Sequence, residues 1–181
     1  GDSEAATDEL LQRYREGEAN HYLEVLYFQY GRYLLISSSR PGTMPANLQG
    51  TWNAHDGAPW GGGYWHNINV QMNYWPAFST NIAETFQAYV AYNQAFRPAA
   101  SLNAQEYLKT YNPENWVEDP AECGWTIGTP NFPYTVSGPA RHSGPGTGGL
   151  TTKLFWDYYD FTRDEDVLKE IAYPAVRDMC K

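Results

Sequence analysis

Cysteine is nearly absent: only Cys123 and Cys180 occur in 181 residues. Two such residues make no disulfide framework and have no metal-knuckle spacing. The sequence leaves open whether they are bonded and fixes no redox compartment. Charge is sparse too, at 18 % of residues, and no Lys or Arg cluster interrupts a net charge of −9. Without such a cluster nothing neutralises phosphates, so nucleic acid and acidic membrane surfaces are poor partners. No apolar run approaches the roughly 20 residues that span a bilayer, so no membrane insertion is expected. No basic and apolar leader pair opens the chain; the expectation is that any export signal has been removed or was never included. His21, His55, His66 and His142 lack partners three or four residues away, so no metal is expected. Gly61-Gly62-Gly63 has no Lys-Ser/Thr after it to hold a phosphate, no nucleophile elbow supports Ser-His-Asp chemistry, and no cofactor is expected.

What the chain has in quantity is aromatic rings, 16 % of residues with 7 Trp and 15 Tyr, on a length that suits one domain with a real core. They gather with amides in Trp65-His66-Asn67-Ile68-Asn69-Val70-Gln71-Met72-Asn73-Tyr74-Trp75-Pro76, which contains no Lys, Arg, Asp or Glu. A surface helix normally places charge on its wet face. Amides that donate and accept, set among flat apolar faces, suit a neutral polyhydroxylated ligand such as a sugar. The structural alternative is a buried helix whose amides bond neighbouring backbone.

In chain order, Gly1 to Thr7 is small and polar and reads as disordered or as an appended remnant. Asp8 is positioned to cap a first helix carrying Leu10, Leu11 and Tyr14, and Asn20 a second. Leu23, Leu26, Tyr27, Tyr30 and Leu34 recur at helical spacing, and the pattern runs to about Ser37. Gly31 within it suggests close packing with another element. Periodicity then stops from Ser37 to Gly63, in a loop bearing Asn47, Gln49, Trp52, Asn53, His55 and Trp60. Loops of this length in compact domains usually build sites, and this one leads straight into the amide-rich helix, read as Asn67 to Trp75. The two features are read as one site. Asn81 with Glu84 forms a capping-box pattern for a fourth helix, ended by Arg97-Pro98. Residues 99 to 147 read as irregular, with one short helical piece at Ala104 to Lys109. Glu118, Asp119, Glu122 and His142 in this region read as solvated or turn-capping residues. A fifth helix starts at Gly148-Gly149 and carries Asp157 between Trp156 and Tyr158, where desolvation favours a neutral acid. Thr162-Arg163-Asp164 turns the chain into a sixth helix, interrupted by Pro174. That helix meets no stop signal before Lys181, so the expectation is a domain that continues. With no period-2 pattern, the layout is all-α, built of helical hairpins whose long functional loops lie on one side.

The chemistry left by elimination is two-carboxylate glycoside hydrolysis, for which Asp157 is the one acid near aromatics. Three blocks, Phe28 to Gly42, Leu48-Gln49-Gly50-Thr51-Trp52-Asn53 and Asn67 to Ala77, resemble signatures of glycoside hydrolase family 95. Trp156 to Thr162 resembles it more loosely, and the likeness covers about residues 22 to 179. The resemblance implies about half of an (α/α)6 toroid, a single partial catalytic domain over residues 1–181. It also implies exo-acting, inverting cleavage of terminal α-L-fucosides or related L-galactosides. Asn67 and Asn69 match the amides that position the attacking water, and Asp157 is the nearest match for the acid. The partnering carboxylate lies beyond Lys181, so this chain alone would be inactive and the remainder of the catalytic domain is an implied partner, as is an oligosaccharide substrate. Trp52, Trp60, Trp65 and His66 would line the sugar pocket, with Asn73, Trp75 and Trp156 beside them. Family members carry His two residues before the first Asn; this chain has Trp65 there and His66 one place later. An Asp in place of Glu is shorter by one methylene, and a misplacement of about 1 Å costs roughly 100-fold. A secreted or periplasmic location follows from the resemblance alone. Two other classes fit the same residues: a non-catalytic sugar-binding helical protein, and a structural helical fragment with a satisfied polar core.

Overall fold

The computed structural model describes residues 4–133, 135–138 and 146–181; Tyr134 and His142 lie outside them. The described part is all-α apart from one two-stranded ladder. Helix α1 spans Thr7–Arg15, so Thr7 belongs to a helix and not to a loose terminus. Ala6 is its N-cap and offers no side-chain bond, while Asp8 sits in the first turn and accepts from the amide of Glu9. The cap expected of Asp8 is therefore replaced by charge at the positive end of the helix dipole. Helix α2 spans His21–Ser38, and here the capping expectation holds: Asn20 Oδ1 accepts from the Leu23 amide at 2.8 Å. Gly31 is not a close-packing position, since a Cβ there would meet no atom within 4 Å. It faces a cavity instead.

Helix α3 spans Asn69–Ser79, starting two residues later than expected and continuing through Pro76. A mid-helix proline frees the carbonyl four residues back, here on Met72. Both Met72 and Pro76 lie on the exposed face, where water can reach that carbonyl. Pro98 behaves the same way in α4, Gln87–Tyr111, which absorbs both the expected stop at Arg97-Pro98 and the short piece Ala104 to Lys109. Asn81 caps nothing. It takes a left-handed φ of 57° after α3, and the turn Ala83–Phe86 leading into α4 is preceded by Ile82. Asp119 does cap, accepting from Ala121 N at 3.0 Å at the head of the Pro120–Cys123 turn.

Helix α5 spans Gly146–Thr162 and α6 spans Glu165–Val167, capped by Asp164. A wide π-turn, Leu168–Ala172, then admits Pro174 into α7, Tyr173–Met179. Helices α3 and α5 run in the same direction. Gln71 near the start of α3 bonds Thr151, and Phe78 near its end stacks on Tyr158 with ring centroids 5.8 Å apart. Gly148 brings α7 close, because a Cβ there would overlap Met179. Between them Tyr74, Phe86, Tyr89 and Phe155 form a continuous aromatic core with Leu154, Val70 and Ile127. The ladder, β1 Tyr64–Trp65 against β2 Pro130–Asn131, is antiparallel with Tyr64 opposite Asn131. Two-residue strands are too short to leave a period-2 signal, which is why the sequence shows none.

Candidate functional site

The amide-rich stretch divides by helical phase. Inward, Gln71 is fully buried; its Nε2 donates to His66 O at 2.6 Å and to Thr151 Oγ1 at 3.0 Å. It ties α3 to α5 and to the turn before α3. Asn73 lies across the helix, half-buried, and donates to the carbonyls of Asn47 and Ala46 at 3.1 and 3.4 Å. Tyr74, a turn inside, takes the Ala46 amide at 3.0 Å on its hydroxyl and meets Ser39 Oγ at 2.6 Å. Burial lifts this phenol well above an ordinary tyrosine pKa. So the long loop is fastened to α3 from beneath. Asn67 and Asn69, at the start of α3, are exposed, and neither carboxamide bonds another described residue.

The loop and the helix thus share one surface. Leu48 N reaches Gly63 O at 3.3 Å and Gln49 Nε2 reaches Pro59 O at 3.4 Å. Asn73, Trp52 and Gln49 line a cavity of about 340 Å³ with Gly31, Ser38 and Pro76. Asn69 stands one helical turn before Asn73 on the same face. The turn Pro59–Gly62, held to the cavity by Gln49, carries three successive left-handed residues, Trp60, Gly61 and Gly62, with φ of 50°, 69° and 58°. For glycine this is free; for Trp60 it stores roughly 1–3 kcal/mol of strain. Its indole is 70 % exposed. Trp65 on β1 is half-buried, with its indole Nε1 buried and without a described partner.

His66 does not line a sugar pocket. Its side chain has 0 % exposure and sits among Tyr89, Phe96 and Asn131. Nδ1 is 3.1 Å from Tyr64 O and 3.0 Å from Asn131 Nδ2, and Nε2 is 2.8 Å from the Tyr89 hydroxyl. Desolvation holds the imidazole down at about 4, outweighing backbone contacts at Tyr64 and Thr129 that raise it. Burial likewise pushes Tyr64 up to about 12.

Asp157 is also placed differently from its expected role. Both its oxygens take Lys153 Nζ, at 2.5 and 2.7 Å, in an i, i+4 pair on the outer side of α5. It lies next to Tyr158, level with Phe78 at the far end of α3. That is roughly 12 Å along the axis from Asn69. Trp156, exposed and edge-on to Tyr159, shares that distant end. Trp75 is exposed on a different arc of α3 from Asn69 and Asn73. Of the expected site residues the structure brings Asn73 and Trp52 to one cavity, with Asn69 a helical turn before Asn73 and the Trp60 turn tied to that cavity through Gln49; His66 is in the core, and Trp75, Trp156 and Asp157 lie on other faces. The structure adds Phe132, whose ring packs on Gly61 and Gly63. Nothing in the sequence of residues 99 to 147 marked Phe132, because its contact is made by the ladder and not by local pattern.

A larger cavity, about 620 Å³, opens on the outward face of α4 beside Arg97, Asp119 and Asp178. Among the described residues no group of three or more His, Cys, Asp or Glu is arranged to hold a metal ion.

An all-α scaffold with a long loop fastened to one amide-rich helix is the class that the structure defines, and sequence comparison gives its family. The chain belongs to glycosyl hydrolase family 95: the family's catalytic-domain model matches residues 1–181. Among curated relatives, Alpha-L-fucosidase 2 of Arabidopsis thaliana is 36 % identical over 171 residues, covering 94 % of this chain and 19 % of its own length. Probable alpha-fucosidase A of Aspergillus niger is 32 % identical over 190 residues, covering 98 % and 21 %. The namesake from Aspergillus oryzae is 42 % identical over 101 residues, covering 55 % and 14 %. The chain thus spans about a fifth of the length of the first two relatives. The helical architecture agrees with a portion of the family's (α/α)6 domain.

Proposed function

We propose that the complete protein is an exo-acting glycosidase that removes terminal α-L-fucose, or a related L-sugar, with inversion. The observation that carries this is the pair of carboxamides, Asn67 and Asn69, exposed at the head of α3 with no partner among the described residues. In this reading the two amides hold a water beneath the anomeric carbon. That water attacks as the glycosidic bond breaks, its proton passes to a carboxylate, and a carboxylic acid protonates the departing oxygen. Both carboxyl groups are assigned to the rest of the domain, since Asp157 is committed to Lys153. Trp52, Trp60 and Trp65 supply the apolar faces of the sugar site. The names of the relatives support the choice of fucose.

The rest of the domain also has a surface to pack on. Val25, Tyr27, Phe28, Tyr30 and Tyr33 leave α2 apolar on its outward side, and we assign that face to later helices of the same domain.

The test is hydrolysis of a fluorogenic α-L-fucoside by the full-length protein and by Asn69→Ala, with the anomer of released fucose read by NMR. We expect at least a 100-fold loss of kcat in the variant, the scale of one lost transition-state contact, and the β-anomer as first product. Equal activity in both proteins would remove the role of Asn69. Glycan binding without any sugar release by the complete protein would favour a lectin-like function instead.

A further inference from the structure

We propose that Trp60 is the platform for the saccharide on the leaving-group side of the scissile bond, and that Phe132 is the residue that positions it. The inference rests on the glycosidase reading above and specifies which part of the substrate this corner of the site takes.

Four observations converge on the Trp60 turn. Trp60 is a bulky residue held at φ 50°, a conformation that relaxes unless its surroundings over-determine it. Those surroundings are visible. A Cβ on Gly61 would lie 3.0 Å from Phe132 Cε1, and one on Gly63 would lie 2.9 Å from the same atom. The phenyl ring therefore lies directly on the glycine backbone, a seat that only glycine leaves open. From the other side Gln49 presses in, its Oε1 at 3.1 Å from the Cβ position of Gly62. Phe132 is itself fixed, because β2 pairs with β1 immediately before it and Tyr92 donates to its carbonyl at 3.3 Å. Phe132 and Gln49 thus grip the turn between them, and the grip holds the indole outward.

Exposure then says which sugar Trp60 meets. A ring enclosing the terminal sugar of an exo-acting enzyme lies in the pocket and is dry; Trp65, half-buried next to Asn67, fits that position. Trp60 is 70 % exposed, and its turn borders the cavity through Gln49, which lines that cavity and donates to Pro59 O, so the indole stands at the edge, on the side open to the remainder of the glycan. A flat indole suits the apolar face of a neutral pyranose.

The experiment uses the full-length protein and two measurements. First, binding of an unfucosylated oligosaccharide is titrated by calorimetry with wild type and Trp60→Ala. Second, kcat/KM is compared for methyl α-L-fucoside, whose leaving group is too small to reach a platform, and for a fucosylated trisaccharide. We expect Trp60→Ala to weaken binding by about three- to tenfold, the scale of one aromatic contact. The trisaccharide-to-methyl ratio of kcat/KM should fall by a similar factor. Phe132→Leu should reproduce the fall through KM with kcat retained, at a melting temperature close to wild type. A merely structural Phe132 would lower the melting temperature and slow both substrates alike.

Unchanged oligosaccharide binding in Trp60→Ala overturns the platform, whatever the hydrolysis data show. An equal loss on both substrates also overturns it, by placing Trp60 against the terminal sugar. A wild type that binds through Trp60 yet cleaves neither substrate leaves the platform standing as a saccharide site and refutes the hydrolase reading alone.

Discussion

Acid should weaken this fold through a single imidazole. His66 is fully buried, and its surroundings bring it down to about 4 from an ordinary value near 6.5. Because the folded-state value is the depressed one, the unfolded chain binds this proton more readily. The stability that the neutral ring confers is fully present above about pH 6.5 and is lost as pH falls toward 4. The full gap corresponds to about 3 kcal/mol, and at about pH 5 roughly 2 kcal/mol of it is gone. Against a domain stability of about 5–15 kcal/mol that is a large fraction. The assay is urea denaturation between about pH 7 and 4.5, comparing wild type with His66→Gln. The amide can keep one contact to the Tyr89 hydroxyl but cannot titrate. Wild type should lose its extra stability across that interval, while His66→Gln should start lower and fall less steeply. Carboxylates such as Asp178, where burial pushes the pKa up but Arg177 and Lys181 together bring it below its ordinary value, contribute equally to both proteins and cancel in the difference. Parallel pH profiles for the two proteins would refute the assignment of a buried neutral histidine.

Asn73→Val should release the loop from α3, leaving the Ala46 and Asn47 carbonyls without their donor. A cost of about 1–3 kcal/mol is expected in denaturant melts, with faster amide exchange at Leu48 and Trp52. Asn20→Ala removes a cap bond of 2.8 Å at a buried position and should cost about 1 kcal/mol. A calorimetric melt would check it, and no shift in midpoint would mean that α2 starts without help from Asn20.

Helix identity was legible in the sequence where apolar spacing and a side-chain cap agreed, as at Asn20 and along α2. It failed where a rule about a residue type ignored which face that residue occupies. Pro76 and Pro98 do not end their helices, because the carbonyls they free lie outward and can be hydrated. Gly31 implied contact and instead borders a cavity, with no described atom within 4 Å of where a Cβ would stand. That the long loop lies against the amide-rich helix was also legible, from its length and composition. Its mechanism was not, since Asn73, Tyr74 and Leu48 act through carbonyls and amides that carry no sequence signature. His66 and Asp157 misled for a related reason. Residue type and sequence neighbours suggested chemistry, but burial in one case and a lysine one turn away in the other decided the role.

The same consideration explains why a stretch with no charge at all can serve both core and ligand. A helix head that must bury one side against aromatic rings cannot carry a carboxylate there without heavy desolvation cost. An amide can be buried if bonded, as Gln71 largely is, or left in water if not. Rotation by 100° per residue then sorts identical chemistry into different duties. Gln71 points into the core and Asn73 to the loop, where both donate; Asn69 lies on the open face and bonds no described residue. The scaffold bonds fix the orientation of α3 to within hydrogen-bond tolerance, and that orientation is what Asn67 and Asn69 present to a ligand. Weakening Asn73 should therefore loosen the geometry of the free pair without touching either side chain. In the complete protein, a loss of kcat in Asn73→Val larger than its loss of fold stability would be the signature of that coupling.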